Sequence, residues 1–150
     1  MKKENIKKTI TLSEQETWQV GFDFGKNLES GVTLALYGNL GAGKTKFLQG
    51  LAKGLGVKEI VNSPTFNILK VYSVKSNKNI KQFCHIDAYR LNSEKDLLTL
   101  GIEEFLSDTD TVVAIEWAEK IKNIWPKNTL KIELKALMEN KRALTIKKQL

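Results

Sequence analysis

Eight consecutive residues constrain this chain more than any others: Gly38-Asn39-Leu40-Gly41-Ala42-Gly43-Lys44-Thr45. The run before them, Val32-Thr33-Leu34-Ala35-Leu36-Tyr37, is short, apolar and β-prone, which predicts a buried strand. After them Phe47, Leu48, Leu51 and Leu55 recur on one face of a helix that ends near Gly56. A glycine-rich loop between a strand and a helix turns successive backbone N–H groups into a concave anion site, and the helix adds the positive end of its dipole. The pattern Gly-x-x-x-x-Gly-Lys-Thr in that setting is a P-loop. Within it Lys44 reaches the β- and γ-phosphates and acts in catalysis, and Thr45 offers its hydroxyl to magnesium. Residues Gly38 to Lys46 are therefore assigned to nucleotide binding. By chance the bare pattern arises in about one chain in a hundred of such composition.

The rest of the chain fits around this unit. Ser13-x-x-Glu16 is a capping-box pattern, followed by Trp18, Gly21, Phe22, Gly25 and Leu28 at helical spacing, with Gly31 as the stop. Phe66 to Val74 and Ile80 to Ile86 read as strands joined by the turn Ser76-Asn77-Lys78-Asn79. Short helices follow, one capped by Ser93 and running to about Leu100, one from Ile102 to Leu106. Thr111 to Ile115 is a buried strand, and the helix after it stops before Pro126. Leu130 to Leu137 and Ala143 to Lys147 form a closing hairpin. Alternating strands and helices predict an α/β fold with a mainly parallel central sheet, added antiparallel strands and flanking helices. With no repeat or linker, residues 1–150 read as one domain. The strand order is not legible.

A P-loop needs a second carboxylate for its metal, usually at the end of a buried strand. Val112-Val113-Ala114-Ile115-Glu116 ends in one, and Phe83-Cys84-His85-Ile86-Asp87 in another. We assign Glu116 to the metal, and Asp87 to the attacking water or the metal's outer shell. Strand period puts His85 and Asp87 on one face. Ser63-Pro64-Thr65, between the loop helix and the next strand, offers hydroxyls of the kind found in nucleotide-sensing switches, although the same residues also spell a simple turn. Trp117 can pack on the base or fill the core. Cys84 is read as a small buried residue. Asp23-Phe24-Gly25 lies before the loop and has no kinase catalytic loop to serve. Asn77-Lys78-Asn79-Ile80 lacks the acid that reads guanine, so ATP is preferred to GTP.

The net charge of +7 comes from 24 basic and 17 acidic residues. Lysines run along the whole length, as on a solvated surface. Among the cations only Arg90 and Arg142 are arginine; in a lysine-rich chain each suggests a need for the planar, forked guanidinium. A single cysteine, no apolar run long enough for a bilayer and no signal-type apolar core point to the cytoplasm.

Together the motifs resemble one family, the ATPase subunit TsaE (also YjeE) of the bacterial tRNA threonylcarbamoyladenosine machinery. The resemblance rests on the P-loop at 38–45, Ser-Pro-Thr-Phe at 63–66, His-Ile-Asp-Ala-Tyr-Arg-Leu at 85–91, Gly-Ile at 101–102 and Ile-Glu-Trp at 115–117, in order and at matching spacing. It implies ATP hydrolysis with magnesium held at Thr45 and Glu116, and a catalytic Asp87. It implies nucleotide contacts from the region after Thr11-Leu12-Ser13, where Thr17 lies, and from a late basic residue, here Arg142; Trp117 is assigned beside them on the residue reading above. We assign Ser63, Thr65, His85 and Arg90 to switching or partner contacts. The resemblance also implies the TsaD and TsaB subunits as partners, with tRNA contact through the complex. Asn39 stands where the family usually has Asp, and Lys46 where it often has Thr. Against this stand a P-loop small-molecule kinase, a regulatory nucleotide switch and an RNA-binding module. For these the chain lacks, respectively, the several arginines and lid of such a kinase, a guanine reader, and stacking aromatics among basic residues.

Overall fold

The computed structural model describes residues 6–64 and 67–148. Its centre is one sheet of seven strands in the order β1-β7-β6-β2-β5-β4-β3. The strands are β1 (Ile6–Thr11), β2 (Thr33–Tyr37), β3 (Leu69–Ser73), β4 (Gln82–Asp87), β5 (Thr111–Glu116), β6 (Leu130–Met138) and β7 (Lys141–Lys148). The inner four, β6-β2-β5-β4, are mutually parallel. Antiparallel hairpin partners flank them, β3 on β4 and β7 on β6, and β1 closes the edge on β7. The mainly parallel core with added antiparallel strands is the predicted architecture.

The first helix, α1 (Glu14–Lys26), starts where predicted: Ser13 Oγ accepts from the Glu16 amide. The reciprocal bond of the capping pattern is shifted by one residue, since Glu16 Oε2 accepts from the Leu12 amide at 2.6 Å. The helix ends at Asn27, short of Gly31, because the Asn27 amide already closes on Asp23 and Gly25 carbonyls. Helix α2 (Lys44–Leu55) follows the loop and stops at Gly56. The two helices touch backbone to backbone. A Cβ on Gly21 would lie 2.1 Å from the Phe47 carbonyl oxygen, and one on Gly50 1.9 Å from that of Trp18. Glycine at these positions is what allows so close a crossing.

Two cores cover the sheet. One face packs Leu34, Leu36, Phe83, Val112 and Ile132 against α1 and α2. The other packs Ala35, Ile86, Val113 and Ile115 against α3 (Glu94–Thr99), α4 (Ile102–Ser107) and a 3-10 segment (Ala118–Ile124). That last segment is the predicted helix that stops before Pro126, here in 3-10 form. It is kinked at Ile121, whose φ of −132° is not helical. Strand β1 was not foreseen. Its sequence, Ile-Lys-Lys-Thr-Ile-Thr, has no apolar alternation, because it is an edge strand of which only Thr11 is buried.

Candidate functional site

The phosphate loop leaves the carboxyl end of β2, flanked by β5 and β6. At Gly38, φ is +151° and a Cβ would meet the Leu134 carbonyl oxygen at 2.6 Å, so β6 itself demands glycine here. Gly43 caps α2 in the left-handed conformation and, having no side chain, makes no cap bond to the first helical turn. Its backbone donors are therefore not taken by a capping side chain.

Lys44 is mostly buried, at 8% exposure. Its Nζ donates to the Gly38 carbonyl at 2.6 Å and lies 4.7 Å from the centre of the Trp117 ring. Trp117 follows Glu116 with a φ of +55°, a turn that brings its indole over the loop lysine. The Tyr89 ring packs on the indole at 4.9 Å.

Register pairs Asp87 with Glu116 on adjacent parallel strands, so the two acids share one sheet face. Glu116 is 4% exposed. His85 Nε2 lies 2.8 Å from its Oε2, and Ser63 Oγ donates to the same oxygen at 3.2 Å. The other oxygen, Oε1, takes no hydrogen bond from a described residue. Burial raises the carboxyl's pKa, but the His85 bond, the Lys44 charge and the Ser63 bond outweigh it and hold Glu116 below the ordinary carboxylate value. Asp87 Oδ1 accepts from the Tyr89 amide at 3.0 Å.

The ends of the chain complete the wall. Arg142, on β7, donates through Nη2 to the Gly41 carbonyl and through Nη1 to the Met138 and Lys141 carbonyls, each at 3.1 Å. Thr17 is buried beside Gly43, its hydroxyl 2.7 Å from that of Thr11.

These residues surround a cleft of about 730 Å³, within the usual range for a nucleotide-sized ligand. Of the predicted residues, Thr17, Leu40, Gly41, Gly43, Lys44, Thr45, Lys46, Ser63, Asp87, Glu116, Trp117 and Arg142 line it. Gly38, Asn39 and Ala42 belong to the loop without lining the cleft. His85 sits behind Glu116, buried. Arg90 lies outside that lining, around a smaller cavity of about 120 Å³ with Ile68, Asp87 and Tyr89. Thr65 lies outside the described residues. Glu14, Gln49, Tyr89 and Asn140 also line the cleft and were not singled out. Helical period from Thr45 would have found Gln49; Asn140 shows no signal beyond a turn.

The donor set suits magnesium. Among the described residues no cluster of three or more His, Cys, Asp or Glu could hold a metal. A hydroxyl at Thr45 and an ionised oxygen at Glu116 offer few protein ligands, which fits an ion that keeps waters and shares its shell with phosphate oxygens.

A parallel sheet core with this loop at the end of its central strand is a P-loop nucleoside-triphosphatase fold, a class built to bind a nucleotide. The model of the family described as "Threonylcarbamoyl adenosine biosynthesis protein TsaE" matches residues 11–144; the chain belongs to the TsaE family. A Treponema pallidum protein named tRNA threonylcarbamoyladenosine biosynthesis protein TsaE is 38% identical over 137 residues, covering 91% of this chain and 97% of the relative. A Bacillus subtilis protein of the same name is 36% identical over 135 residues, covering 90% and 81%. The crystal structure of Bacillus subtilis YdiB matches with a TM-score of 0.79 over 99% of this chain and 88% of that one, at 30% identity.

Proposed function

We propose that the chain is a magnesium-dependent ATPase, a single P-loop domain acting in the cytoplasm with TsaD and TsaB in the N6-threonylcarbamoylation of adenosine 37 of tRNA. The observation that carries the ATPase reading is the meeting, in one cleft, of the phosphate loop, Lys44, Thr45 and an ionised Glu116 with one oxygen that no described residue bonds. The tRNA reading and the partners come from family membership. No helix among the described residues is long and apolar enough to cross a membrane, which fits the assigned compartment.

The roles divide by position. Lys44 leaves the Gly38 carbonyl to meet the β- and γ-phosphates. Thr45 and Glu116 hold magnesium, which when bound neutralises charge on the phosphate oxygens. Asp87 orients the attacking water, since it lines the same cleft and, among the described residues, its side chain bonds the Tyr89 amide alone. Trp117 and Thr17 border the nucleotide, and Arg142 steadies the loop tip. Ser63, Thr65 and Arg90 are assigned to switching and partner contacts.

ATP hydrolysis by the purified chain with TsaD and TsaB, alongside nucleoside analysis of the modified tRNA, tests this. Asp87→Asn should bind ATP as the wild type does and lose turnover by at least about a hundredfold, the size of a general-base contribution. Normal turnover in that variant would remove Asp87 from the reaction.

A further inference from the structure

We propose that His85 is a positioning residue. From behind Glu116 it fixes one carboxylate oxygen so that the other is presented to the divalent cation in the cleft. The inference rests on the metal reading above and adds a group that does not itself touch the metal.

The geometry carries it. His85 is 1% exposed, stacked on Phe83 with ring centres 6.2 Å apart. An ionised carboxylate only accepts hydrogen bonds. The 2.8 Å contact therefore places the imidazole hydrogen on Nε2, pointing at Oε2. Nδ1 is then left buried with no partner among the described residues. A core position filled for packing alone would be served better by an apolar ring, which leaves no polar atom unpaired. Histidine at this position is explained by what Nε2 does. Ser63 aims at the same oxygen from the opposite chain segment. Two donors converge on Oε2 and none of the described residues bonds Oε1, so the carboxylate is held in one orientation before a cation arrives. A glutamate side chain has several rotatable bonds, and ordering it in advance removes that cost from binding. Groups that orient a metal ligand in this way typically account for a 10–100-fold change in metal affinity.

The probe is Mn2+, titrated onto the protein loaded with a non-hydrolysable ATP analogue and followed by the electron paramagnetic resonance of the free ion. His85→Phe and His85→Leu both remove the donor and are carried in parallel, so misfolding of one leaves the other. Their Mn2+ affinity should fall about tenfold or more, and thermal melts check that both variants stay folded although buried Glu116 has lost a donor. Analogue binding measured with EDTA should stay near wild type. His85→Gln, whose amide nitrogen replaces Nε2, should recover most of the metal affinity. Wild-type Mn2+ affinity in the donor-free variants, or a Gln variant as weak as the Phe variant, would overturn the positioning role. Glu116→Ala separates the two ideas. If it binds Mn2+ normally, the metal reading fails and the role of His85 with it. If it loses Mn2+ while the donor-free His85 variants do not, only the positioning role fails.

Discussion

Arg142 bonds the carbonyl of a residue 101 positions earlier, Gly41, while its other terminal nitrogen closes on the turn of its own hairpin. Three carbonyls in two directions need a planar fork, and a lysine ammonium on a flexible stem cannot hold all of them at once. Arg142→Lys should therefore loosen the loop tip and weaken ATP binding by about tenfold, roughly 1.4 kcal/mol, with little loss of thermal stability. Calorimetric titration measures it, and unchanged affinity would show that lysine serves there equally well. The scarcity of arginine marked this residue in the sequence, but only the family resemblance placed it near the nucleotide, because the contact depends on a hairpin register that no local pattern encodes. The loop itself was legible for the opposite reason: its glycines, lysine and threonine are neighbours in the chain and their chemistry is local. His85 could be placed beside Asp87 by strand period, whereas its bond to Glu116 depends on which strand lies next to β4.

Helices α1 and α2 show what element-scale patterns contain and omit. Gly21 and Gly25 stand at helical spacing in α1, and spacing alone does not distinguish a weak helical position from a contact. Gly50 and Gly54 in α2 are the reciprocal half. A Cβ on Gly54 would fall 2.1 Å from the Phe22 carbonyl oxygen. Replacing glycine by alanine inside an exposed helix usually gains about 1 kcal/mol from propensity. Here the added carbon meets rigid backbone, so the clash wins. Gly50→Ala should destabilise by about 1–3 kcal/mol or more, read as a lower urea midpoint, and it should disturb the loop because α2 begins at Lys44. A variant as stable as the wild type would mean that the helices can move apart freely. Pro126 signals only where the helix after β5 must end, and the left-handed turn at Trp117 has no glycine to announce it, so the segment's 3-10 character and its kink at Ile121 are not legible in the sequence.

Across the whole molecule the charge is less evenly spread than the sequence suggests. Strands β1, β6 and β7 hold eight cations against one anion, Glu133, a net of +7 that equals the net charge of the entire chain. Lysines do run throughout, but elsewhere acids balance them. Register places Lys131 directly opposite Lys147, and like charges so placed repel by a fraction of a kcal/mol. Stability should therefore rise as sodium chloride goes from about 0.01 M to about 1 M, where the screening length falls from roughly 30 Å to roughly 3 Å. Thermal melts across that range check it, and a flat or falling midpoint would show the repulsion to be negligible. The same three strands have another consequence. Ile6 at the start of β1 pairs with Lys147 near the end of β7, so the chain leaves the sheet almost where it entered. Sequence order and spatial order thus form a ring cut at one seam. A short linker across that seam would reconnect the ring and let new termini open elsewhere, in the exposed turn between β3 and β4 on the far edge of the sheet, with every strand keeping its neighbours.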